Sequence, residues 1–205
     1  FVTLANNYGK QTEMWNGFDV TTSIRPRNGL LVQGGLSTGK TTKDSCEIQR
    51  ALPETAPLNP YCHIDTPFLS QYKMLGSYTI PRIDVQLGAT FQSFDAPQNG
   101  IFANYVATNA AVQPSLGRPL AGGTANVTVN LIAPQTLYGD RINQMDLRVG
   151  KMLRFGSTRT RLSLDVFNAL NAAPVMTENQ NYASFRRPTS IMTARFAKVT
   201  MQFDF

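Results

Sequence analysis

The segment from Gly34 to Thr41 has the residue types and spacing of a phosphate-binding loop. It reads GGLSTGKT, a full match to G-x-x-x-x-G-K-[ST], and an apolar run precedes it. In such loops the backbone N–H groups and the lysine, here Lys40, bind phosphate oxygens. The motif also needs a following helix, but the chain reaches Pro53 after at most two helical turns. We therefore disfavour a P-loop nucleotide-binding enzyme.

Two cysteines, Cys46 and Cys62, lie in a polar, proline-rich segment beside the one histidine, His63. Together they could supply three zinc ligands, but the second ligand pair that makes such a pattern specific is not in the sequence. Two cysteines in a long loop favour a disulfide, which forms in an oxidising compartment. We expect a Cys46–Cys62 disulfide, no metal and no cofactor.

Acidic and basic side chains recur without forming a catalytic constellation. Asp84, Asp146 and Asp165 alternate with apolar residues along the chain, and so do Arg148 and Lys198. Opposite charges on adjacent strands can pair. We interpret these five residues as a salt-bridged polar wall rather than as an acid–base site, and we expect no enzyme activity.

The composition excludes several classes of protein. The chain has 205 residues, of which 42% are hydrophobic and 16% charged, and its formal net charge is +6. It is too apolar and too aromatic for a disordered chain, and no run of about 18 apolar residues could form a transmembrane helix. The positive charges are scattered, so we expect no nucleic-acid partner.

Period-2 alternation dominates the chain, while helical periodicity is almost absent. The clearest segment sets Val85, Leu87, Ala89 and Phe91 against polar neighbours. The alternation predicts an all-β protein, an antiparallel meander of about seven long strands, near residues 16–25, 29–39, 69–80, 83–94, 143–155, 159–170 and 190–205. We also expect a local hairpin that pairs residues 104–108 with residues 126–132.

Long and short connections alternate along the chain. The long polar segments run from about Lys40 to Pro67, Asp95 to Ile142 and Asn171 to Pro188, and short turns separate the other strands. Strands of about 10–14 residues can cross a bilayer at the tilt of a barrel. Short turns at one end and long loops at the other are typical of outer-membrane barrels. We therefore predict a partial transmembrane β-barrel with long extracellular loops and short periplasmic turns.

Each predicted strand has an apolar side and a polar side. In a barrel the apolar sides would face lipid and the polar sides the lumen. The residues predicted to face the lumen are Asp84, Asp146, Arg148, Asp165 and Lys198. Aromatic residues near strand ends are expected to lie in the interface girdles, and these are Trp15, Phe94, Phe155, Phe203 and Phe205.

The C-terminal strand resembles the assembly signal of bacterial outer-membrane barrels. Its apolar residues alternate up to a terminal phenylalanine, at Val199, Met201, Phe203 and Phe205. The segment LSLDVFNALN, residues 162–171, resembles a late-strand motif of TonB-dependent receptors. The segments ANYVATNA, TLYGDRINQMDLRVGK and NYASFRRPTSI are similar to those of the Oar-like group of TonB-dependent transporters.

This resemblance implies that residues 1–205 are the C-terminal segment of one outer-membrane β-barrel domain, in a transporter that takes up a bulky ligand with energy from TonB. Such receptors have barrels of about 22 strands with a plugged lumen. Seven strands would leave two open edges, so we expect a fragment without plug and TonB-binding segment. The implied partners are outer-membrane lipid, lipopolysaccharide, the barrel-assembly machinery, TonB and the plug. A soluble or secreted β-rich binding module is the alternative.

Overall fold

The computed structural model describes residues 4–52, 61–95, 100–156 and 158–204. Strands make up most of it because period-2 segments dominate the sequence. In chain order the strands are β1 (Thr12–Arg27), β2 (Leu30–Asp44), β3 (His63–Asp65), β4 (Leu69–Ile80), β5 (Val85–Asp95), β6 (Asn104–Thr108), β7 (Asn126–Asn130), β8 (Arg141–Phe155), β9 (Thr158–Phe167), β10 (Val175–Glu178), β11 (Pro188–Ile191) and β12 (Phe196–Asp204).

The main sheet is a meander. Seven strands follow in the order β1-β2-β4-β5-β8-β9-β12, and the short β3 pairs with the end of β2. Each pair of neighbours is antiparallel. The predicted all-β antiparallel meander is therefore confirmed. The predicted local hairpin is also confirmed as β6–β7, although β7 ends at Asn130, and a further hairpin pairs β10 with β11.

Short turns join the long strands at one end of the sheet, which we call the inner end. Gly29 lies between β1 and β2 with a φ of 80°, a conformation that glycine adopts without steric cost. Arg82 and Asp84 also have positive φ values, 76° and 50°, in the turn before β5. The prediction that a strand begins at residue 83 is therefore wrong, since this turn delays the strand to Val85.

The long connections leave the opposite end, the outer end, and contain two short helices, α1 (Cys46–Ala51) and α2 (Asn109–Leu116). The hydroxyl of Thr108 accepts a hydrogen bond from the N–H of Ala111 and caps the start of α2. Gly117, with a φ of 70°, ends the helix. Single 3-10 turns occupy Ala5–Asn7, Ala121–Gly123 and Tyr182–Ser184.

The last two long strands are shorter than predicted. Residues 188–191 form β11 in the separate hairpin, so β12 begins only at Phe196. β9 ends at Phe167 because Asn168 has a φ of 49°. The buried amide of Asn168 donates to the carbonyl oxygens of Ala172 and Thr193, which fixes this corner. Residue Phe205 lies outside the described residues.

The main sheet is a single layer with little hydrophobic core. The chain has an accessible surface of 13820 Å², whereas a compact protein of its mass exposes about 9,500 Å². Among the described residues, the buried apolar side chains belong to the long connections and the outer end of β8: Ile101, Ala103, Ala107, Ile142 and Met192. Most of the area on the two faces of the sheet is therefore left open to contacts outside the chain.

Candidate functional site

One face of the sheet is a continuous apolar surface, here called the apolar face. The strand register places Val199 beside Leu164, Val149 and Leu87 in one row across four strands. Their side chains are exposed, by 69% at Val199 and 49% at Val149. An exposed apolar patch of this extent on a folded protein marks a surface that contacts a membrane or another protein.

The apolar face extends over the whole width of the sheet. On β1 it carries Phe18, Val20 and Ile24, all of them exposed. On β12 it carries Met201 and Phe203, which alternate with polar residues from Lys198 to Asp204. The described residues of the proposed assembly signal therefore share one face, and their part in assembly stays a prediction.

The opposite face of the sheet, the polar face, carries a row of charged residues. The guanidinium of Arg148 donates two hydrogen bonds to the carboxylate of Asp165, whose side chain is only 7% exposed. Lys198 lies directly across from Asp165 on β12. The structure thus brings together three residues that were predicted to share one wall, with one carboxylate between two cations.

The other two carboxylates of the predicted wall have different partners. Asp146 lies on the polar face and accepts hydrogen bonds from the amide of Gln144, at 3.1 Å, and from the backbone N–H of Asn168, at 2.8 Å. Asp84 lies in the turn before β5 rather than on a strand, and its carboxylate forms an ion pair with Arg154 at 3.0 Å. Four of the five residues thus form polar contacts at or beside the polar face, while Lys198 lies across from Asp165. Whether the five face a lumen remains a prediction.

Two of the five aromatic residues assigned to interface girdles lie on the wrong face. Trp15 and Phe94 have the parity of the polar face, opposite Thr41 and Ile142 respectively. Phe94 packs against the buried Ile142 because the third long connection brings Met192 to the outer end of this face. The prediction is therefore wrong for these two residues.

The apparent phosphate-binding loop is an interior part of β2. Residues 34–39 pair with β1 on one side and with β4 on the other. Their backbone N–H groups are engaged in an extended ladder, so they cannot converge on a phosphate group. Lys40 lies within β2, and the residues after it continue the strand to Asp44 instead of beginning a helix.

A disulfide joins Cys46 at the start of α1 to Cys62, with a Cα–Cα distance of 4.7 Å. The connection after β2 is closed a second time by hydrogen bonds from Ser45 to the carbonyl oxygen of Cys62. The two sulfur atoms are therefore bonded to each other and do not form a zinc site with His63.

We expect the same bond in the protein isolated from cells. Closing this loop should stabilise it by about 3 kcal/mol through the lost entropy of the unfolded chain. Mass spectrometry without reduction should recover the peptides of Cys46 and Cys62 as one cross-linked species. Quantitative alkylation of both thiols in protein taken from the cell envelope would contradict this prediction.

His63 lies between two carboxylates at the outer end of the sheet. Its Nδ1 is 3.0 Å from Asp44 and its Nε2 is 3.2 Å from Asp65. Two hydrogen bonds raise the pKa of His63 above its usual range, and the one to Asp44 contributes more than the one to Asp65. The pKa of Asp44 is lowered most by the hydrogen bond from the backbone N–H of Cys46 and next by the one to His63. The pKa of Asp65 is lowered most by the hydrogen bond from the hydroxyl of Thr42 and next by the one to His63.

This cluster should order the first long connection most strongly in mildly acidic solution. The stabilisation from protonated His63 is complete below its pKa in the unfolded chain, about 6.5, and is lost as pH rises through its raised pKa in the folded protein. The stabilisation from the two ionised carboxylates is complete above their pKa in the unfolded chain, about 3.8, and is lost as pH falls through their lowered pKa values in the folded protein. NMR titration of the chain's single histidine should give a pKa above the usual value, and Asp44→Asn should lower it. A pKa at or below the usual value would contradict the cluster.

A cavity of about 740 Å³ lies at the outer end of the polar face. The hairpin β1–β2, β3 and the start of β4 form its base, and the connection between β5 and β8 closes its side. Its lining includes the aromatic Trp15 and Phe102. The polar lining groups are Glu13, Ser37, Thr41, Lys43, Thr66, Gln71, Asn104, Asn130 and Gln135. This cavity was not predicted from the sequence.

No family model matches the chain, and the comparisons with curated proteins and with solved structures give no match either. Within the described ranges, no helix is both long and apolar enough to pass through a membrane.

Proposed function

We propose that this chain forms part of the wall of an outer-membrane β-barrel, with its apolar face in lipid and its polar face toward the lumen. The observation that carries the proposal is the contrast between the two faces of a single-layer sheet. Val149 and Leu164 are exposed on one face, while Arg148 and Asp165 form an ion pair on the other. Lipid covers the first kind of surface and water the second.

Strand length supports a transmembrane sheet rather than a soluble one. The seven meander strands have between 9 and 16 residues. A tilted strand needs about 9–11 residues to cross the hydrocarbon core, whereas strands of soluble proteins have about 5–6. The longest strands, β1, β2 and β8, would project beyond the bilayer and support the long connections.

The connections support one orientation in the membrane. The inner end carries only short turns, and we place it at the periplasm. The outer end carries all the long connections, including the disulfide, and we place it outside the cell.

We further propose that the barrel is a TonB-dependent transporter of the Oar-like group, for energised uptake of a bulky ligand. Support for this class comes from the resemblance of residues 162–171 and of the C-terminal strand to those receptors. Within the described sheet, β1 and β12 each pair on one side only. Lipid does not tolerate such edges, so further strands would have to pair with both.

Cell fractionation tests the membrane proposal. The protein should remain with the outer membrane after high-salt and carbonate washes, and it should migrate faster on a gel when it is not heated, since a folded barrel resists the detergent. Release into the soluble fraction would contradict the proposal and favour a β-rich soluble binding module.

Comparison of two deletion strains tests the transport proposal. Loss of this protein and loss of TonB should both prevent depletion of the same component from a complex growth medium, as measured by mass spectrometry. A component whose uptake needs this protein but not TonB would contradict TonB-dependent transport.

A further inference from the structure

We propose that the cavity at the outer end of the polar face binds a neutral sugar ring, with Trp15 as its stacking platform. The inference rests on the proposed function and names the chemical class of the ligand, a neutral oligosaccharide. A cavity of this size, with aromatic side chains and many hydrogen-bonding groups in its lining, suits a small ligand rich in hydroxyl groups.

The Trp15 indole lies against the backbone of β2 at Gly39. It occupies the space where a side chain at residue 39 would begin, because a Cβ built on Gly39 would lie 2.5 to 2.8 Å from three ring atoms. The ring is thus supported from behind by the strand backbone, yet Trp15 remains 54% exposed. A supported ring with an open face loses little freedom when a ligand stacks on it.

The indole ring is complementary to the face of a sugar ring. A pyranose presents C–H groups on its faces and hydroxyl groups at its edge. The negative face of an indole attracts C–H groups. A phosphate group gains nothing comparable, because the face of the ring is negative.

Four primary amides line the same cavity, those of Gln71, Asn104, Asn130 and Gln135. A primary amide both donates and accepts hydrogen bonds, which suits hydroxyl groups. Asn130 is held by two backbone N–H groups that donate to its Oδ1, and Gln135 accepts from the hydroxyl of Tyr138 at 2.8 Å. Among the described residues, the side chains of Gln71 and Asn104 form no hydrogen bond, so they can serve a ligand.

The charge of the cavity lining also favours a neutral ligand. The ionisable groups in the lining are Glu13 and Lys43, and they form an ion pair with each other at 2.8 Å. The lining is therefore neutral overall, and neither group is left to select an ionic ligand. A neutral sugar fits this balance, whereas a uronic acid or a phosphate would lack a cation of its own.

Binding can be measured on the protein extracted from the outer membrane in detergent. The neutral probes are the hexasaccharides of glucose, mannose and xylose, with α and β linkages where both exist. Trigalacturonic acid is the charged comparison. Calorimetry gives the Kd. Fluorescence of wild type minus that of Trp15→Phe isolates the signal of this indole.

Three variants separate the platform from the fold. Trp15→Leu removes the ring and should raise the Kd for a bound neutral probe about tenfold. Gly39→Ala keeps the ring but displaces it, since the three closest atoms to the new Cβ all belong to the indole, and it should weaken binding similarly. The matched control is Phe18→Leu, on the same strand with 56% exposure but on the apolar face. It should leave the Kd within twofold.

Binding of a neutral probe that shifts the Trp15 fluorescence and weakens in both cavity variants supports the sugar site. Failure of all neutral probes to bind, binding of trigalacturonic acid alone, or unchanged affinity in Trp15→Leu and Gly39→Ala overturns it. Fractionation of the same preparation keeps the two proposals distinct. Membrane-bound protein without sugar binding refutes only the sugar site, and soluble protein that binds sugar refutes only the barrel.

Discussion

Replacing Met201 with arginine should prevent stable insertion of the protein, whereas replacing its neighbour Gln202 with arginine should be tolerated. The two residues are adjacent on β12, so their side chains point to opposite faces. Met201 is 54% exposed on the apolar face, opposite Leu162. An arginine on the lipid side near the bilayer centre is destabilising by about 2–4 kcal/mol, while a lumen position accepts the charge.

Denaturant titration of each variant, refolded with the rest of its barrel into lipid vesicles, gives the free energy of unfolding. The amount of protein assembled in the outer membrane provides the cellular measurement. We expect a large loss for Met201→Arg and a change within about 0.5 kcal/mol for Gln202→Arg. Equal tolerance of the two substitutions would overturn the assignment of faces on β12.

Gly17→Ala should strongly destabilise the pairing of β1 with β2. A Cβ at Gly17 would lie 2.4 Å from the carbonyl oxygen of Thr38 and 2.6 Å from the Cα of Gly39. These are backbone atoms of the partner strand, so β1 and β2 would have to move apart. We expect a loss of about 3 kcal/mol in the free energy of unfolding.

Gly76→Ala is the matched control and should act in the opposite direction. A Cβ at Gly76, on the apolar face of β4, would meet no atom within 4 Å. Alanine restricts the unfolded chain more than glycine, so we expect stabilisation of about 0.5–1 kcal/mol. Denaturant titration measures both variants, and a Gly17→Ala protein as stable as wild type would show that the β1–β2 contact is wider than described.

The sequence was sufficient for the strands because period-2 alternation is local information. The pairing of β5 with its neighbours follows from the alternation of Val85, Leu87, Ala89 and Phe91, since a slip by one residue would exchange the two faces. Short turns fix the pairs β1–β2, β4–β5 and β8–β9, whereas the order of these pairs in the meander depends on the long connections. Arg148, Asp165 and Lys198 could be assigned to one face for the same reason.

The parts that escaped prediction depend on contacts between segments far apart in the chain. The sequence around Phe94 is that of an interface aromatic residue. In the structure Phe94 packs against a cluster that includes Met192, about a hundred residues away in the chain. The cavity depends on the contact between Gly39 of β2 and the Trp15 side chain of the neighbouring strand β1. A glycine within a strand often marks such a close approach, so Gly17 and Gly39 were the available signal. The register that pairs them is not apparent in either segment alone.

Spin-label accessibility along β8 tests whether one face of the sheet lies in lipid. Single cysteines at residues 147–150 can carry a spin label in the membrane-inserted protein, since Cys46 and Cys62 are bonded to each other. We expect labels at 147 and 149 to collide mainly with lipid-soluble oxygen, and labels at 148 and 150 with a water-soluble nickel reagent. A strictly alternating profile is the predicted result. Uniform access of the nickel reagent to all four positions would contradict a sheet with one face in lipid.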